Sequence, residues 1–335
     1  MRLQKKDIKV AIIVTIVSLL VLTFSQMGFA QNKEPINLRI SAHVEGTAAR
    51  EAMDLLIEYT NKKLINYKIQ PTIYLLGEVS GAGEGIESMQ ADMIDMQADS
   101  PSWETDWVPK IGIMEQAFLF DDAEHVYEVL QKGLGDRLGE LLLEKTGVRA
   151  ILWAYQGARW MFFVNKINSI EDFKKVNLRV ADARTYRDMA KILGAKPISV
   201  SWGDVYTALE SGLADAVEGV PKDIYSMGYH KPCNFFSPTN HMQLVFFILI
   251  DNGVFESLPA EVRNAMNEAA KEVSEEVFVR NKADLDKYVD IFLKEGLELV
   301  ELDLSPLKER AREYHMKWAE DNDAVDLLEE FFPAK

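Results

Sequence analysis

Apolar and polar positions change period repeatedly along this chain, and each change outlines an element. Ile36 to Ser41 alternates in twos, the pattern of a half-buried strand. From Gly46 to Leu64 the period lengthens. Ala49, Met53, Leu56, Ile57, Thr60 and Leu64 recur by threes and fours, which predicts a helix. Ile69, Pro71, Ile73 and Leu75 then share one face of a second strand, and Pro71 marks it as an edge or a bulge. Helices are predicted over 123–132 and 134–145, followed by a buried strand from Val148 to Trp153. A strand from Asn177 to Ala181 leads into a helix ending near Gly194. Another helix runs from Trp202 to Ser211, with Gly212 at its stop. His241 to Ile250 is an apolar run fit for the middle of a sheet. Strands alternating with helices imply an α/β class.

One segment carries architectural weight. Pro259 to Glu295 has no internal Gly or Pro. Val262, Met266, Ala269, Ala270, Val273, Val277, Leu285, Tyr288 and Phe292 keep helical spacing through it. Pro259 suits a first turn and Gly296 an end. Unbroken, it spans roughly 55 Å at about 1.5 Å per residue. A domain of about 150 residues is only about 35–40 Å across. The helix must then cross from one domain to another, unless it breaks near Asn281.

The first thirty residues are of another kind. Arg2, Lys5, Lys6 and Lys9 precede an apolar run from Val10 to Phe24, and Gly28-Phe29-Ala30 supplies small residues at a cleavage site before Gln31. That order predicts a cleaved secretory signal over 1–30 and a periplasmic mature chain. An uncleaved anchor is the alternative, but the apolar run is short for a span. No other segment approaches that length. The net charge of −16 deepens to −19 when four basic residues and one acidic one leave with the signal. Such a surface repels nucleic acid and anionic lipid. A single cysteine, Cys233, excludes a disulfide within the chain. His230 nearby does not complete a metal site with it, because metal patterns need three or four ligands.

Motifs of catalysis are missing. There is no Gly-x-Ser-x-Gly elbow and no His-Glu-x-x-His helix, and the five histidines share no pattern. Gly77 to Gly85 is glycine-rich but lacks the Lys-Ser/Thr pair of a phosphate loop. Glu78 and Glu84 would also repel phosphate there. A turn entering a short helix is expected instead. Neither a catalytic residue nor a cofactor nor a metal is assigned. Arg179 is different: it stands inside a short apolar strand, where a lone charge is costly to bury. It needs an anion, either an acid side chain or a ligand. A guanidinium offers a planar fork that fits a carboxylate with two bonds.

The middle of the chain holds an ordered set of segments. They are Tyr155-Gln156-Gly157-Ala158-Arg159-Trp160, Asn168 to Phe173, Leu178-Arg179-Val180, Leu193 to Pro197, Ser201 to Gly212, and Asp215 to Gly219. Leu76-Gly77, Met89-Gln90, Ala117 to Phe120, Thr239-Asn240-His241 and Ser257-Leu258-Pro259 extend the set over the whole mature chain. In this order they resemble the solute-binding proteins of TRAP (tripartite ATP-independent periplasmic) transporters, of dicarboxylate-binding type. The resemblance implies a two-lobed periplasmic binding protein fold, type II-like, with the long helix spanning both lobes. Lobe I would comprise 31–156 plus 245–284, and lobe II 157–244 plus 285–335. It implies that a small organic acid is captured between the lobes and handed to integral membrane subunits. A monomer is expected, with pairing left open. The alternatives are an exported enzyme acting on a small carboxylic acid and the binding component of a sensor.

The same resemblance assigns residues. Arg179 would grip the ligand carboxylate, Arg159 would support it, and Trp202 would pack against the ligand. Glu218 and Gly219 match a site segment, and Glu45, Glu78, Asp99 and Ser100 are candidate wall residues of the first lobe. Three departures stand out. Gly219 replaces an amide side chain that contacts ligand in many relatives, Ala181 replaces a proline, and Trp160-Met161-Phe162-Phe163 replaces a small, polar stretch. Together they predict a modified, more apolar pocket.

Overall fold

A computed structural model describes residues 33–331, so the expected signal over 1–30 lies outside the described residues. The chain opens with β1 (Glu34–Ala42), α1 (Ala48–Lys63), β2 (Tyr67–Leu75), α2 (Gly85–Gln90) and β3 (Met96–Asp99). After two 3₁₀ turns come α3 (Ala123–Gln131), α4 (Leu134–Thr146) and β4 (Val148–Ala158). The middle continues with β5 (Trp160–Phe163), β6 (Asn177–Val180), α5 (Arg184–Leu193), β7 (Lys196–Ser199), α6 (Val205–Glu210), β8 (Ala216–Gly219) and α7 (Pro221–Ser226). The last part is β9 (Phe235–Ser237), β10 (Gln243–Asp251), α8 (Asn252–Ser257), α9 (Ala260–Lys294), β11 (Glu298–Leu299), α10 (Ser305–Asp321) and α11 (Val325–Phe331).

The strands form two sheets. The first has the order β2-β1-β3-β10-β4, and the second β11-β9-β5-β8-β6-β7. β2 is an edge strand, as Pro71 requires of a residue that cannot donate to a ladder. β10 lies inside its sheet, and eight of its nine residues are buried. Each sheet carries apolar clusters on both faces. The first packs α1, α8 and the front of α9 on one side, and α3 and α4 on the other. The second packs α5 and the start of α10 on one side, and α6, α7 and the end of α9 on the other. The molecule is thus two α/β lobes, each a three-layer sandwich.

Three connections join the lobes ahead of the C-terminal helices. β4 runs straight into β5 through Arg159, and β9 returns to β10 through Thr239-Asn240-His241. The third is α9, unbroken over 35 residues. Val262 to Val277 bury into the first lobe, while Tyr288 and Phe292 bury into the second. No break occurs at Asn281, because that side chain is useful where it is. Asn281 is buried, and its Nδ2 donates to the carbonyl of Tyr155 at 2.9 Å. The helix is thereby fixed to β4 just before the strand leaves the first lobe.

The end of the chain departs from the expected division. Leu307 and Ala311 pack in the second lobe, but Ala319, Leu327, Leu328 and Phe331 pack in the core of the first. Residues 285–335 were expected to belong to the second lobe alone. Helix spacing locates an apolar face and says nothing of which lobe covers it, so the return of α10 and α11 had no sequence signal.

Replacing Asn281 with Ala should lower the unfolding free energy by about 1–2 kcal/mol, since a buried main-chain acceptor loses its side-chain partner. A urea titration followed by circular dichroism tests this; an unchanged midpoint contradicts the pinning role.

Candidate ligand-binding site

A cleft of about 680 Å³ opens between the lobes, a size suited to a small-molecule site. Its place follows from topology. β1, β2 and β3 are parallel neighbours in the first sheet, and β6, β7 and β8 in the second. Their carboxyl ends converge on the cleft, where open α/β sheets bind ligands. His43 and Val44 follow β1, Leu76 and Gly77 follow β2, and Asp99 ends β3. Opposite them, Arg179 lies near the end of β6, Ser199 ends β7 with Val200 just after it, and Val220 follows β8.

Arg179 is 2% exposed and lines the cleft. Its Nε and Nη2 both donate to the carbonyl of Val200, at 3.0 and 2.7 Å. Its guanidinium lies 5.3 Å from the Trp202 ring centroid, a cation–π contact. Among the described residues no acid forms an ion pair with it, and no hydrogen bond takes up its Nη1. Burial pulls its pKa down to about 10. The group stays charged at neutral pH, but in a setting that serves the charge poorly. One carbonyl does not offset the loss of water around a whole cation.

Arg159 lines the same cleft in the opposite condition. Its Nε and Nη2 both bind the carboxylate of Glu218, with Nη2 to Oε1 at 2.7 Å. Its face lies 5.0 Å from the Tyr186 ring centroid. Glu218 is fully buried, and His241 Nε2 lies 3.6 Å from its Oε2. Burial would raise Glu218, but the charge of Arg159 and the hydrogen bonds from its guanidinium outweigh it and hold the acid down to about 2. His241 in turn shares a 2.7 Å hydrogen bond through Nδ1 with the Thr239 hydroxyl. The two strand connections between the lobes therefore meet at one ion pair.

The first lobe supplies acids. Asp99 is buried and accepts from the main chain of Gly83 at 3.1 Å, from Ser100 at 3.1 Å and from Gln97 Nε2 at 2.9 Å. Burial nevertheless pushes it up to about 7. Ser100 donates its hydroxyl to Glu115 at 2.6 and 2.7 Å. Glu84 reaches the cleft from the glycine-rich turn, and Asp182 and Asp223 from the second lobe. The cleft wall thus has four carboxylates and two guanidiniums, one of which is already matched by Glu218.

The structure brings Arg179, Arg159, Trp202, Asp99 and Ser100 together on the cleft, and leaves four other candidates outside it. Glu45 and Glu78 are exposed, and Glu78 accepts from the main chain of its own turn, Leu75, at 2.8 Å. Glu218 faces Arg159 from behind the wall. Gly219 is buried in β8 against Ile224, where even a Cβ would come within 2.7 Å of Cδ1. An amide side chain there would have to displace Ile224. The apolar run after Arg159 does not line the pocket either. It is β5, whose residues alternate between the two cores of the second lobe. The expected apolar shift is therefore not made by these residues. Tyr186, Trp103, Gln156, Asp182 and Asp223 line the cleft without having been foreseen. Gln156 falls inside a segment of the family pattern but was given no role there, the other four belong to no motif, and only the folded chain gathers them. His230 and Cys233 are buried among aromatic side chains of the second lobe, with His230 stacked on Tyr225.

The model of the bacterial extracellular solute-binding proteins, family 7, matches residues 41–321. An uncharacterised protein of Haemophilus influenzae is 28% identical over 84% of this chain and 85% of its own length. The 2,3-diketo-L-gulonate-binding periplasmic protein of Escherichia coli is 26% identical over 76% of each. Among solved structures, a TRAP periplasmic solute-binding protein from Sulfitobacter with bound β-D-galacturonate superposes with a TM-score of 0.81. It is 22% identical, and the match covers 89% of this chain and all of that one.

Two predictions follow from the buried charges. Replacing Glu218 with Gln should cost roughly 3–5 kcal/mol of stability, because Arg159 is left buried without its counter-charge; chemical denaturation measures it, and a loss below about 1 kcal/mol contradicts the pairing. Asp99 is raised in the folded state, from 3.8 to about 7. Its contribution to stability is thus fully present below about pH 4 and is lost as pH rises through about 7. Asp99→Asn should therefore reduce the fall in unfolding midpoint between pH 5 and pH 8; an unchanged fall argues against a buried, strained acid.

Proposed function

Because the chain belongs to the bacterial extracellular solute-binding proteins of family 7, we propose that it captures a small carboxylate in the cleft and delivers it to the membrane subunits of a TRAP-type transporter. It acts as a carrier in the periplasm and not as an enzyme. The N-terminal basic, apolar and small-residue segments would direct export.

The observation that carries this reading is Arg179. A buried guanidinium with no acid partner, at the mouth of β6 and facing a cleft of about 680 Å³, is a receptor for an anion. A ligand carboxylate would supply the missing counter-charge, and Arg159 would frame it from the side not taken by Glu218. Trp202 would close the apolar flank. Contacts from both lobes to one ligand favour the closed arrangement, which is a shift of population toward the form that binds better.

The wall also speaks to the kind of acid. Arg179 is the one cation of the described cleft wall without an acid partner. A second ligand carboxylate would meet Asp99, Glu84, Asp182 or Asp223 and no free positive group. A monocarboxylate whose far end offers hydroxyl donors suits these acceptors better than the dicarboxylate that the sequence resemblance suggested. The acids named for two relatives, galacturonate and diketo-gulonate, are of that kind.

A thermal-shift panel of uronates, aldonates and C4 dicarboxylates tests the reading. A true ligand at a hundred times its dissociation constant should add about 2.7 kcal/mol of stability. D-Galacturonate and D-glucuronate should stabilise more than succinate. For the best compound, Arg179→Ala should weaken binding at least about 100-fold by calorimetry, as expected when one partner of a buried charged contact is removed, with the fold retained. Near-native affinity in that variant contradicts the proposal.

A further inference from the structure

Arg179 can grip a carboxylate only if its guanidinium points the right way, and a short segment after β7 sets that direction. Nε and Nη2 form one edge of the group, and both donate to the carbonyl of Val200, at 3.0 and 2.7 Å. Cζ lies 5.3 Å from the Trp202 ring centroid. A guanidinium carries five N–H donors in a fixed fork. With the Nε edge held, Nη1 and the second hydrogen of Nη2 form the other edge, the pair that a carboxylate takes with two bonds. The guiding carbonyl and the guiding ring come from residues two apart in the chain. A displacement of this one segment therefore turns the fork.

The segment needs an anchor. Ser201, Gly203 and Asp204 are exposed, and Trp202 is half-buried. Val200 is tied back to the sheet, where its N–H donates to the carbonyl of Val180 at 3.3 Å. Beyond it, Ser201 Oγ reaches Asp204 of the same segment at 2.5 Å. The anchor arrives from 27 residues further along the chain. Tyr229 follows α7, its own N–H donating to the carbonyl of Ile224 at 3.0 Å, and its side chain is buried in the second lobe. Its hydroxyl donates to the main-chain carbonyl of Trp202. Its ring meets the Trp202 ring edge to face, with centroids 4.8 Å apart. Apart from Arg179 itself, it is the one side chain from outside the segment that hydrogen-bonds residues 200–204 among the described residues. Burial pushes the phenol up to about 12, so the hydroxyl remains a donor at physiological pH. Tyr229 does not line the cleft.

We propose that Tyr229 is the positioning residue of the anion receptor: its hydroxyl fixes the main chain at Trp202, and through it the Val200 carbonyl and the Trp202 face that aim Arg179 into the cleft. A phenylalanine would fill the same core space and leave the segment free to shift. A misaligned guanidinium still attracts an anion by charge, but it loses the second of two parallel bonds, which carries the geometric selection for a carboxylate. The role rests on the carboxylate reading, since an aimed fork matters only where Arg179 receives an anion.

Side-chain NMR on the protein labelled with 15N-arginine tests it. The Nε–H signals of Arg179 and Arg159 are identified by their loss in Arg179→Lys and Arg159→Lys. In the parent both should exchange slowly with water, since each is buried and bonded. In Tyr229→Phe the Arg179 signal should exchange at least about tenfold faster, while that of Arg159, held by Glu218, keeps its rate. Arg159 is the control, because a general loss of stability would speed both. This arm needs no solute, so it is decided apart from the carboxylate reading. In a second arm, calorimetry measures the acid that stabilises the parent best in the thermal-shift panel. It should bind Tyr229→Phe about fivefold more weakly, the worth of roughly one neutral hydrogen bond. If no acid of the panel binds, the carboxylate reading fails, and the first arm still decides whether Tyr229 aims Arg179. An unchanged Arg179 rate, equal acceleration of both arginines, unchanged affinity, or a variant that no longer folds makes Tyr229 a core residue only and overturns the proposal.

Discussion

The account depends on one unbalanced charge. A guanidinium 2% exposed, held by a single carbonyl and a tryptophan face, has lost most of its water and gained no acid. Removing an ion from water costs several kcal/mol even after relaxation, and a lone carbonyl returns only part of that. The protein contains the contrasting case a short distance away along the same wall. Arg159 is as deeply placed, yet the Glu218 carboxylate pairs with it and settles its charge. Two arginines on one cleft, one matched and one not, divide naturally into a structural element and a receptor.

The scaffold puts that receptor where two lobes can act on it. Parallel strands of both sheets point their carboxyl ends into the cleft, so loops from either side reach a bound molecule. The lobes are tied by two strand crossings, by α9 and by the returning α10, with Asn281 fixing α9 to β4 at the boundary. The ion pair of Arg159 and Glu218 sits at those crossings, since Arg159 links β4 to β5 and His241 precedes β10. A rigid, buried charge pair at the hinge and an open cation at the mouth are compatible demands: one resists distortion, the other waits for a partner.

Much of this was legible in the chain. The period of 3.6 through Val262, Met266, Ala269, Val273 and Val277, without Gly or Pro, specifies a helix too long for one domain, and α9 is that helix. A charged residue inside Leu178-Arg179-Val180 stands out because burial of a charge is rare without a reason. The partner of a charge is another matter. Glu218 is 59 residues from Arg159 in sequence, and nothing in Val217-Glu218-Gly219 says that its acid turns toward that arginine and away from the ligand. The same holds for Asp223, which caps a helix 175 residues away. Trp160 to Phe163 read as a pocket lining by position, but alternation on a two-faced strand sends each side chain into a core. Periodicity records which faces are apolar; which lobe covers a face, as at Ala319 and Phe331, is decided by packing.

The most direct measurement is a crystal structure of the protein with the acid that stabilises it best in solution. The account predicts that the acid lies between the lobes with its carboxylate oxygens at hydrogen-bond distance from the Arg179 guanidinium and its hydroxyls turned toward the acids of the first lobe. A carboxylate held elsewhere, with Arg179 still bound to Val200 alone or matched by an acid of the protein, would contradict it.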